Sequence, residues 1–187
     1  MLAVALAGSP REGSNSEALL DAALATIADA GVEVIKHRLA DLDVRPCVAH
    51  PKCRELRRCP HPDDFASLAE AAMDADLVIF AVPVYYWGVP AQFKAYIDRH
   101  IHYYGLRKYR ARAIGLIIVA HNDGIQEAED QMHSFLIKGG HAGIAWSDVQ
   151  ILRAYAAGPG EAASNPELVE AAHNLGKTLL NQLNSQV

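Results

Sequence analysis

The chain has 187 residues, of which 51% are hydrophobic and 21% charged, and this composition is typical of a compact α/β protein with a buried sheet. Its formal net charge of −5 argues against a general nucleic-acid-binding protein. The first apolar run is short and follows no basic leader, so we expect a cytoplasmic protein with no signal peptide and no membrane span.

The beginning of the chain has a pattern typical of an anion-binding turn. Residues 2–7 are wholly apolar, which predicts a strand covered on both faces of a parallel sheet, and Gly8 ends this run. Ser14 and Glu17 have the spacing of a capping box, so we expect a helix to begin at Ser14 or Asn15. The free N–H groups and the positive end of that helix would then point at the loop before it.

The residues of this loop narrow the choice of anion. Gly8 and Gly13 have the spacing of a triphosphate-binding loop, but Ser14 stands where such a loop needs lysine. Pro10 stands where a dinucleotide-binding loop needs glycine. We therefore expect a single phosphate, held by hydroxyls, backbone and Arg11. The alternative is an ordinary capped turn, which would need only one of these polar residues.

Strands and helices alternate along the rest of the chain. Apolar runs predict further strands at residues 32–38, 77–82, 113–120 and 144–152, and a long connection covers about residues 39–62. Apolar helical faces lie within residues 20–27, 65–72, 93–101, 125–135 and 168–183. The helix that begins at Pro90 is predicted to run to about Tyr104 and to bury Ile101, and Asp63 and Asp64 are predicted to cap the helix before it. This alternation predicts an α/β fold, a doubly wound five-stranded parallel sheet with helices on both faces, in a single domain over residues 1–187.

Two loops are predicted to meet at the carboxyl ends of the strands. Ligands of doubly wound folds bind there, at the point where the strand order reverses its direction. With the flavodoxin-like strand order 2-1-3-4-5, these are residues 8–14 and 83–89, with residues 121–124 alongside. The second loop holds Tyr85, Tyr86 and Trp87, which cannot all face one core, so some must cover a ligand or a partner subunit. A monophosphate loop beside aromatic rings suits FMN. A subunit contact without a ligand is the alternative, and both can hold.

Positive charge is concentrated in two stretches. Residues 99–112 contain no acid, and their basic residues are Arg99, Arg107, Lys108, Arg110 and Arg112. Residues 45–58 contain one acid, and their basic residues are Arg45, Lys52, Arg54, Arg57 and Arg58. Each stretch is either a solvated loop or part of a basic rim that attracts a phosphorylated cosubstrate.

Two motifs carry a family resemblance. The sequence GSPREGSNSEALLDAAL, followed by PVYYWGVPAQFKAYIDR, resembles the NAD(P)H-dependent FMN reductases of the flavodoxin-like superfamily. The match covers about residues 1–125, and the remainder agrees in pattern only. The resemblance implies that the FMN phosphate is held by Ser9, Arg11, Ser14, Asn15 and Ser16. It implies that the isoalloxazine ring is lined, largely through backbone groups, by Pro83, Val84, Tyr85, Tyr86, Trp87 and Gly88. The third cofactor loop corresponds to Asn122, Asp123 and Gly124, whose residue types depart from the small residues usual there.

The long connection resembles the cysteine segment of iron–sulfur flavoproteins, which carries four cysteines before a paired Asp. Here the pattern is Cys47-x2-His50-x2-Cys53-x5-Cys59, with His50 in place of the second cysteine. Three thiolates and an imidazole could hold a [4Fe–4S] cluster or Zn²⁺, and the alternative is three reduced thiols. Because His50 replaces a soft thiolate, we expect no intact cluster and assign no metal ligand.

The resemblance implies an oxidoreductase that passes reducing equivalents from NAD(P)H through bound FMN to a small acceptor such as a quinone or a flavin. The cofactor supplies the hydride chemistry, so we assign no catalytic side chain. The alternative is an FMN-containing electron-transfer or redox-sensing protein of the iron–sulfur flavoprotein type, without NAD(P)H turnover. We expect a homodimer or homotetramer with no nucleic-acid or membrane partner.

Overall fold

The centre of the fold is a five-stranded parallel sheet, described here from a computed structural model that covers residues 1–105 and 108–185. The strand order is β2-β1-β3-β4-β5, and every neighbouring pair is parallel. The strands are β1 (Leu2–Ala7), β2 (Glu33–Arg38), β3 (Leu77–Pro83), β4 (Ala113–Ala120) and β5 (Gln150–Tyr155). The predicted doubly wound order is therefore confirmed.

Helices cover both faces of the sheet. They are α1 (Asn15–Asp29), α2 (Cys53–Leu56), α3 (Phe65–Asp74), α4 (Ala91–Arg99), α5 (Ile125–His133), α6 (Glu161–Ser164) and α7 (Pro166–Ser185). Short 3₁₀ turns occupy Leu39–Asp41, His100–Tyr103 and Trp146–Asp148, and one π-helical turn occupies Ser134–Lys138. Within the described ranges, no helix is both long and apolar enough to cross a bilayer.

Two hydrophobic cores form because successive side chains of a strand point to opposite faces of the sheet. On β1, Val4 and Leu6 belong to the core under α3, α4 and α5, whereas Ala5 and Ala7 belong to the core under α1 and α7. On this face of the sheet α1 and α7 lie close to each other, since a Cβ added to Gly176 on α7 would lie 2.7 Å from the carbonyl oxygen of Ala23 on α1. The two helices thus pack with their backbones in close contact.

The fifth strand begins later than the sequence predicts. Residues 144–149 form a loop, and β5 spans Gln150–Tyr155 at the edge of the sheet. Ile144 and Trp146 are apolar because they pack from this loop against the larger core. The predicted strand over residues 144–152 is therefore wrong in its first half, although its edge position is confirmed.

The fourth helix is also shorter than predicted. It ends at Arg99, and the chain tightens into the 3₁₀ turn of His100–Tyr103. A 3₁₀ turn has three residues per turn, so residues three apart share a face, and His100 and Tyr103 both become buried. Ile101 is 46% exposed, so the prediction that it is buried is wrong.

Candidate functional site

The loop between β1 and α1 begins at a point where three elements crowd together. The N–H of Gly8 donates to the carbonyl oxygen of Ala81 on β3, at 2.8 Å. A Cβ at this position would lie 2.8 Å from Cδ2 of Phe93 on α4, so a larger residue would push α4 away. The loop is therefore held at the carboxyl end of β1, directly beside β3.

The hydroxyl groups of this loop are buried at the N-terminus of α1. Ser14 caps the helix, and its Oγ accepts from the N–H of Glu17 at 3.3 Å and lies 3.3 Å from Oγ of Ser16. The Oγ of Ser9 accepts from the N–H of Arg11 at 3.1 Å. The predicted helix start is confirmed. The first N–H groups of α1 lack partners within the helix and make this end suitable for an anion.

The capping box is only half formed. The carboxylate of Glu17 is buried and pairs with Lys36 and Arg38 of β2, at 3.1 Å from each nitrogen. These pairs neutralise a negative charge in the first turn of α1. They also leave the hydroxyls, rather than a carboxylate, at the mouth of the loop.

The side chain of Asn15 bonds to residues that follow β5, a role that its position in the motif does not indicate. Its Nδ2 donates to the carbonyl oxygens of Gly158 (2.8 Å) and Ala156 (3.3 Å), and its Oδ1 accepts from the N–H of Ala162 (3.1 Å). The side chain thus ties α1 to the loop after β5. Any contact of Asn15 with a phosphate would involve its backbone N–H.

The aromatic loop is a tight turn in a strained conformation. The N–H of Tyr85 donates to the carbonyl oxygen of Gly88 at 2.9 Å, and the reverse bond is 3.2 Å. The two central residues, Tyr86 and Trp87, have φ values of 50° and 56°. Both positive values are typical of a type I′ turn, where Asn and Gly are the usual residues. Such positions cost about 1–3 kcal/mol each and concentrate at ligand sites.

This turn presents its aromatic side chains to solvent. Tyr86 is 95% exposed, and Tyr85 and Trp87 are 39% and 52% exposed. The expectation that the three rings do not share one core is therefore confirmed. At the base of the turn, the N–H of Val84 donates to the carbonyl oxygen of Val119 at 2.8 Å, which aligns the turn with the end of β4.

The loop after β4 packs against this turn. The indole N–H of Trp87 donates to Oδ2 of Asp123 at 3.0 Å, and Oδ1 accepts from the N–H of Gly124 at 2.8 Å. These two hydrogen bonds lower the pKa of Asp123, the bond from Trp87 being the larger cause. Gly124 has φ of 90°, and a Cβ there would lie 2.7 Å from Cγ1 of Val84. Asp123 and Gly124 therefore position the aromatic turn.

Gln131 supports the turn from below, and sequence reasoning missed it. Its Oε1 accepts from the N–H of Val89 at 3.2 Å, and its Nε2 is 2.6 Å from the place of a Cβ at Gly88. A polar residue on an amphipathic helix carries no signal for this role, because solvent exposure explains it equally well.

A cleft of about 220 Å³ joins the two predicted loops. Its walls are Arg11, Ser14, Asn15, Ser16, Pro83, Val84, Tyr85, Val119, Ala120, His121, Ala156 and Ala157. Ala156 and Ala157 follow β5 and were missed because the predicted strand ended too early. The remaining predicted site residues are not part of these walls: Ser9, Tyr86, Trp87, Gly88, Asn122, Asp123 and Gly124. A larger cavity of about 470 Å³ lies between α4 and the π-helical turn, and Gln131, which supports the aromatic turn, lines it.

The features of the cleft suit a phosphorylated planar ligand. One end offers a helix N-terminus with buried hydroxyls and the guanidinium of Arg11, which favour an anion. The other end offers Tyr85 and the apolar side chain of Val84, which favour a flat ring. The residues present therefore fit FMN.

The cysteine segment does not fit a four-iron cluster. Cys47, His50, Cys53 and Cys59 line a cavity of about 10 Å³, room for about one water molecule. In the part of the chain that the structure describes, no three His, Cys, Asp or Glu side chains are arranged to hold a metal ion. All three cysteines are free thiols.

The basic stretch after α4 is not a rim of the cleft. The N–H groups of Arg110 and Arg112 donate to the carbonyl oxygens of Met73 and Asp76, so both residues lie at the amino ends of the strands. The cleft lies at the carboxyl ends. Arg99 is buried, so the expectation of a solvated or rim residue is wrong for it. Arg107 lies outside the described residues.

Comparison with known proteins identifies the family of the chain. A family model described as NADPH-dependent FMN reductase matches residues 1–152. An iron-sulfur flavoprotein of Methanocaldococcus jannaschii is 31% identical over 184 residues, which cover 95% of this chain and 94% of that protein. An FMN-dependent NADH:quinone oxidoreductase of Bordetella bronchiseptica is 31% identical over 119 residues, or 58% of this chain and 56% of that protein.

The fold is shared with solved structures. The NAD(P)H:quinone oxidoreductase from Methanothermobacter marburgensis has a TM-score of 0.73 and 20% identity, with 96% of each chain covered. At this identity the likeness shows the fold alone. The family model, in contrast, covers most of the chain, and the resemblance predicted from the two loops is confirmed: the chain belongs to the NADPH-dependent FMN reductase family of oxidoreductases.

Proposed function

We propose that this chain binds FMN in the cleft between its two loops and passes electrons from NAD(P)H to a small acceptor such as a quinone or a flavin. The observation that supports this most directly is the cleft itself, which joins a hydroxyl-rich helix N-terminus to an aromatic turn. The printed names of the relatives, which include an FMN-dependent NADH:quinone oxidoreductase, support the same assignment.

The N-terminus of α1 would hold the phosphate. The N–H groups of Asn15 and Ser16 belong to the first turn, and the hydroxyls of Ser14 and Ser16 lie in the wall of the cleft. Arg11 adds a positive charge from the loop. Pro10 leaves no glycine for the close backbone approach that a pyrophosphate needs, which favours FMN over FAD.

The aromatic turn would position the ring. Tyr85 and Val84 line the cleft, whereas Trp87 is held by Asp123 at its edge. The bound flavin supplies the hydride chemistry, and the protein orients it and limits access of water. His121 is the imidazole in the cleft wall, and we assign it no proton transfer. Tyr86, which is almost fully exposed, suits a contact with a second copy of the chain. A homodimer or homotetramer stays a prediction that light scattering tests.

The function is tested on apo-protein reconstituted with flavin. We expect FMN to bind more tightly than FAD, and the FMN form to oxidise NADH or NADPH with benzoquinone as acceptor. Failure to bind FMN would contradict the site. Binding of FMN without oxidation of either nucleotide would contradict the reductase and favour the electron-transfer alternative, which the name of the M. jannaschii relative supports.

A further inference from the structure

The most deeply buried charge of the described chain lies outside the cleft. The guanidinium of Arg99, at the end of α4, forms a bidentate pair with Asp63, with N–O distances of 2.6 and 2.8 Å. Neither side chain is exposed to solvent. The guanidinium also lies 4.7 Å from the ring centre of Phe65. A buried charge is tolerated only when it is paired and hydrogen-bonded, so each partner depends on the other.

The remaining polar groups of this pair bind the two ends of the cysteine segment, which we define as residues 45–59. Arg99 donates from Nη1 to the carbonyl oxygen of Arg45 at 2.9 Å, and from Nε to Sγ of Cys59 at 3.0 Å. Asp63 accepts from the N–H of Arg45 at 3.1 Å. Burial opposes the charge on Asp63, but its hydrogen bonds from Arg99 and Arg45 outweigh burial and lower its pKa. One ion pair thus forms hydrogen bonds with the first and the last residue of the segment.

The donor set of the segment differs from the four thiolates that usually hold a four-iron cluster. It offers three thiols, and the sulfur of Cys59 accepts a hydrogen bond from the guanidinium of Arg99. Nδ1 of His50 accepts from the N–H of Lys52 at 3.2 Å, a bond within the segment itself. The three cysteines and His50 line a small cavity of about 10 Å³, and Arg99 lines it as well.

We propose that the Arg99–Asp63 pair, and not a metal centre, orders the cysteine segment of this chain, and that the segment binds no iron–sulfur cluster. In this respect the chain differs from what the names of its iron-sulfur flavoprotein relatives would suggest. The proposal does not depend on the proposed function, because none of its residues lines the cleft.

Trypsin provides a direct test, because the segment has exposed cleavage sites at Lys52, Arg54, Arg57 and Arg58. We expect Arg99→Met to raise the cleavage rate in the segment roughly tenfold or more, since loss of one partner of a buried pair increases local opening. Lys94→Met is the matched control. Lys94 lies on the same helix in an exposed pair with Asp98, and its loss should leave cleavage unchanged. Equal rates for Arg99→Met and wild type would overturn the proposal.

Two further measurements separate the ion pair from a metal. Cys59→Ser keeps an acceptor for Arg99 but removes a thiolate, so cleavage should change by less than about threefold, and a chelator should not accelerate cleavage of wild type. Anaerobic reconstitution with iron and sulfide should leave no cluster bound. Near four irons per chain, one Zn²⁺ that needs the cysteines, or chelator-dependent cleavage would each overturn the proposal. If Arg99→Met does not fold, Arg99→Met with Asp63→Leu removes both charges and serves in its place.

Discussion

Trp87 and Asp123 connect two loops that are 36 residues apart in sequence. The indole N–H of Trp87 donates to Oδ2 of Asp123 at 3.0 Å, and the other carboxylate oxygen accepts from the N–H of Gly124. Trp87 therefore has a defined orientation although half of its surface is exposed and its backbone is in the left-handed region. Through this bond, the loop after β4 sets the shape of the aromatic turn.

Asp123→Ala should loosen that turn. Because Trp87 loses its acceptor, we expect the affinities for FMN and for riboflavin to fall together, each about threefold to tenfold. Fluorescence titration of apo-protein with both ligands measures this. Asp123→Asn is the comparison: its amide oxygen can still accept from the indole, although its NH2 cannot accept from the N–H of Gly124, so it should lose less affinity for both ligands than Asp123→Ala does. A loss confined to FMN would mean that Asp123 acts on the phosphate instead.

Arg11→Ala should affect the phosphate alone. A hydrogen bond to a charged group contributes about 1.5–3 kcal/mol, and each 1.4 kcal/mol is about tenfold in affinity. Arg11 is exposed, so we expect the lower end of that range, a loss of about tenfold for FMN. Riboflavin, which lacks the phosphate, should bind as before. Equal losses for the two ligands in parallel titrations would refute the phosphate assignment of Arg11.

Tyr85→Ala should weaken FMN and riboflavin equally, because Tyr85 lines the cleft and a ring contact does not involve the phosphate. Stacking on an aromatic side chain is worth about 1–3 kcal/mol, which corresponds to about 5- to 150-fold. Tyr86→Ala is the matched control in the same turn, since Tyr86 points into solvent and should leave both affinities unchanged. If Tyr85→Ala changes neither titration, the ring must bind elsewhere.

Tyr86→Asn should stabilise the protein. Tyr86 has φ of 50° and is almost fully exposed, so the substitution removes little beyond an edge-on ring contact with Trp87, whose ring centre is 5.4 Å away, and Asn tolerates the left-handed region better. We expect the free energy of unfolding to rise by about 0.5–1 kcal/mol in urea denaturation. Tyr104→Asn is the comparison, because Tyr104 is half exposed but has φ of −54°. A gain of the same size there would exclude relief of backbone strain as the cause.

Stability should fall in acid because of buried histidines. Burial lowers the pKa of His100 to about 3, and burial also lowers the pKa of His102. The unfolded chain protonates these rings below about pH 6.5 while folded His100 stays neutral, so the stabilisation is complete above pH 6.5 and is lost as the pH falls towards 3. We expect the free energy of unfolding to decline by up to about 1.4 kcal/mol per pH unit and per histidine. Urea denaturation between pH 7.5 and 4.5 measures this decline. His100→Gln should flatten the profile, and an unchanged slope in this variant would contradict the assignment.

Part of the fold and of the site follows from local rules and could be predicted from the sequence. The wholly apolar run of β1 identified a strand buried on both faces, and Ser14 with Glu17 identified the start of α1 to within a residue. Both signals lie within a few residues of the element that they specify. The two loops also carried enough residue identity to indicate the family, because glycine, serine and proline at fixed positions limit the backbone and the ligand together.

Local rules failed where a residue's partner lies far away in the chain. Ile144 and Trp146 look like a strand, but they pack from a loop against the core, and Ile101 turned outward because the chain tightened after Arg99. In each case the residue is apolar as expected, but the surface that its side chain faces depends on residues far away in the sequence. A tighter helical turn can have the same residues as a regular α-helix, and a loop packed over a core can have the same residues as a strand. The sequence therefore does not distinguish them.

The roles of the polar residues became clear from their tertiary contacts and not from the sequence. Asn15 belongs to a predicted phosphate loop, yet its side chain binds the loop after β5, 141 to 147 residues away. Arg99 belongs to a run of basic residues that indicated solvent, yet it is buried because Asp63 lies opposite it. A charge or an amide can satisfy the same hydrogen-bonding need with water, with a ligand or with a distant residue, and the sequence does not distinguish these partners. The fold does, because it determines which groups lose their water.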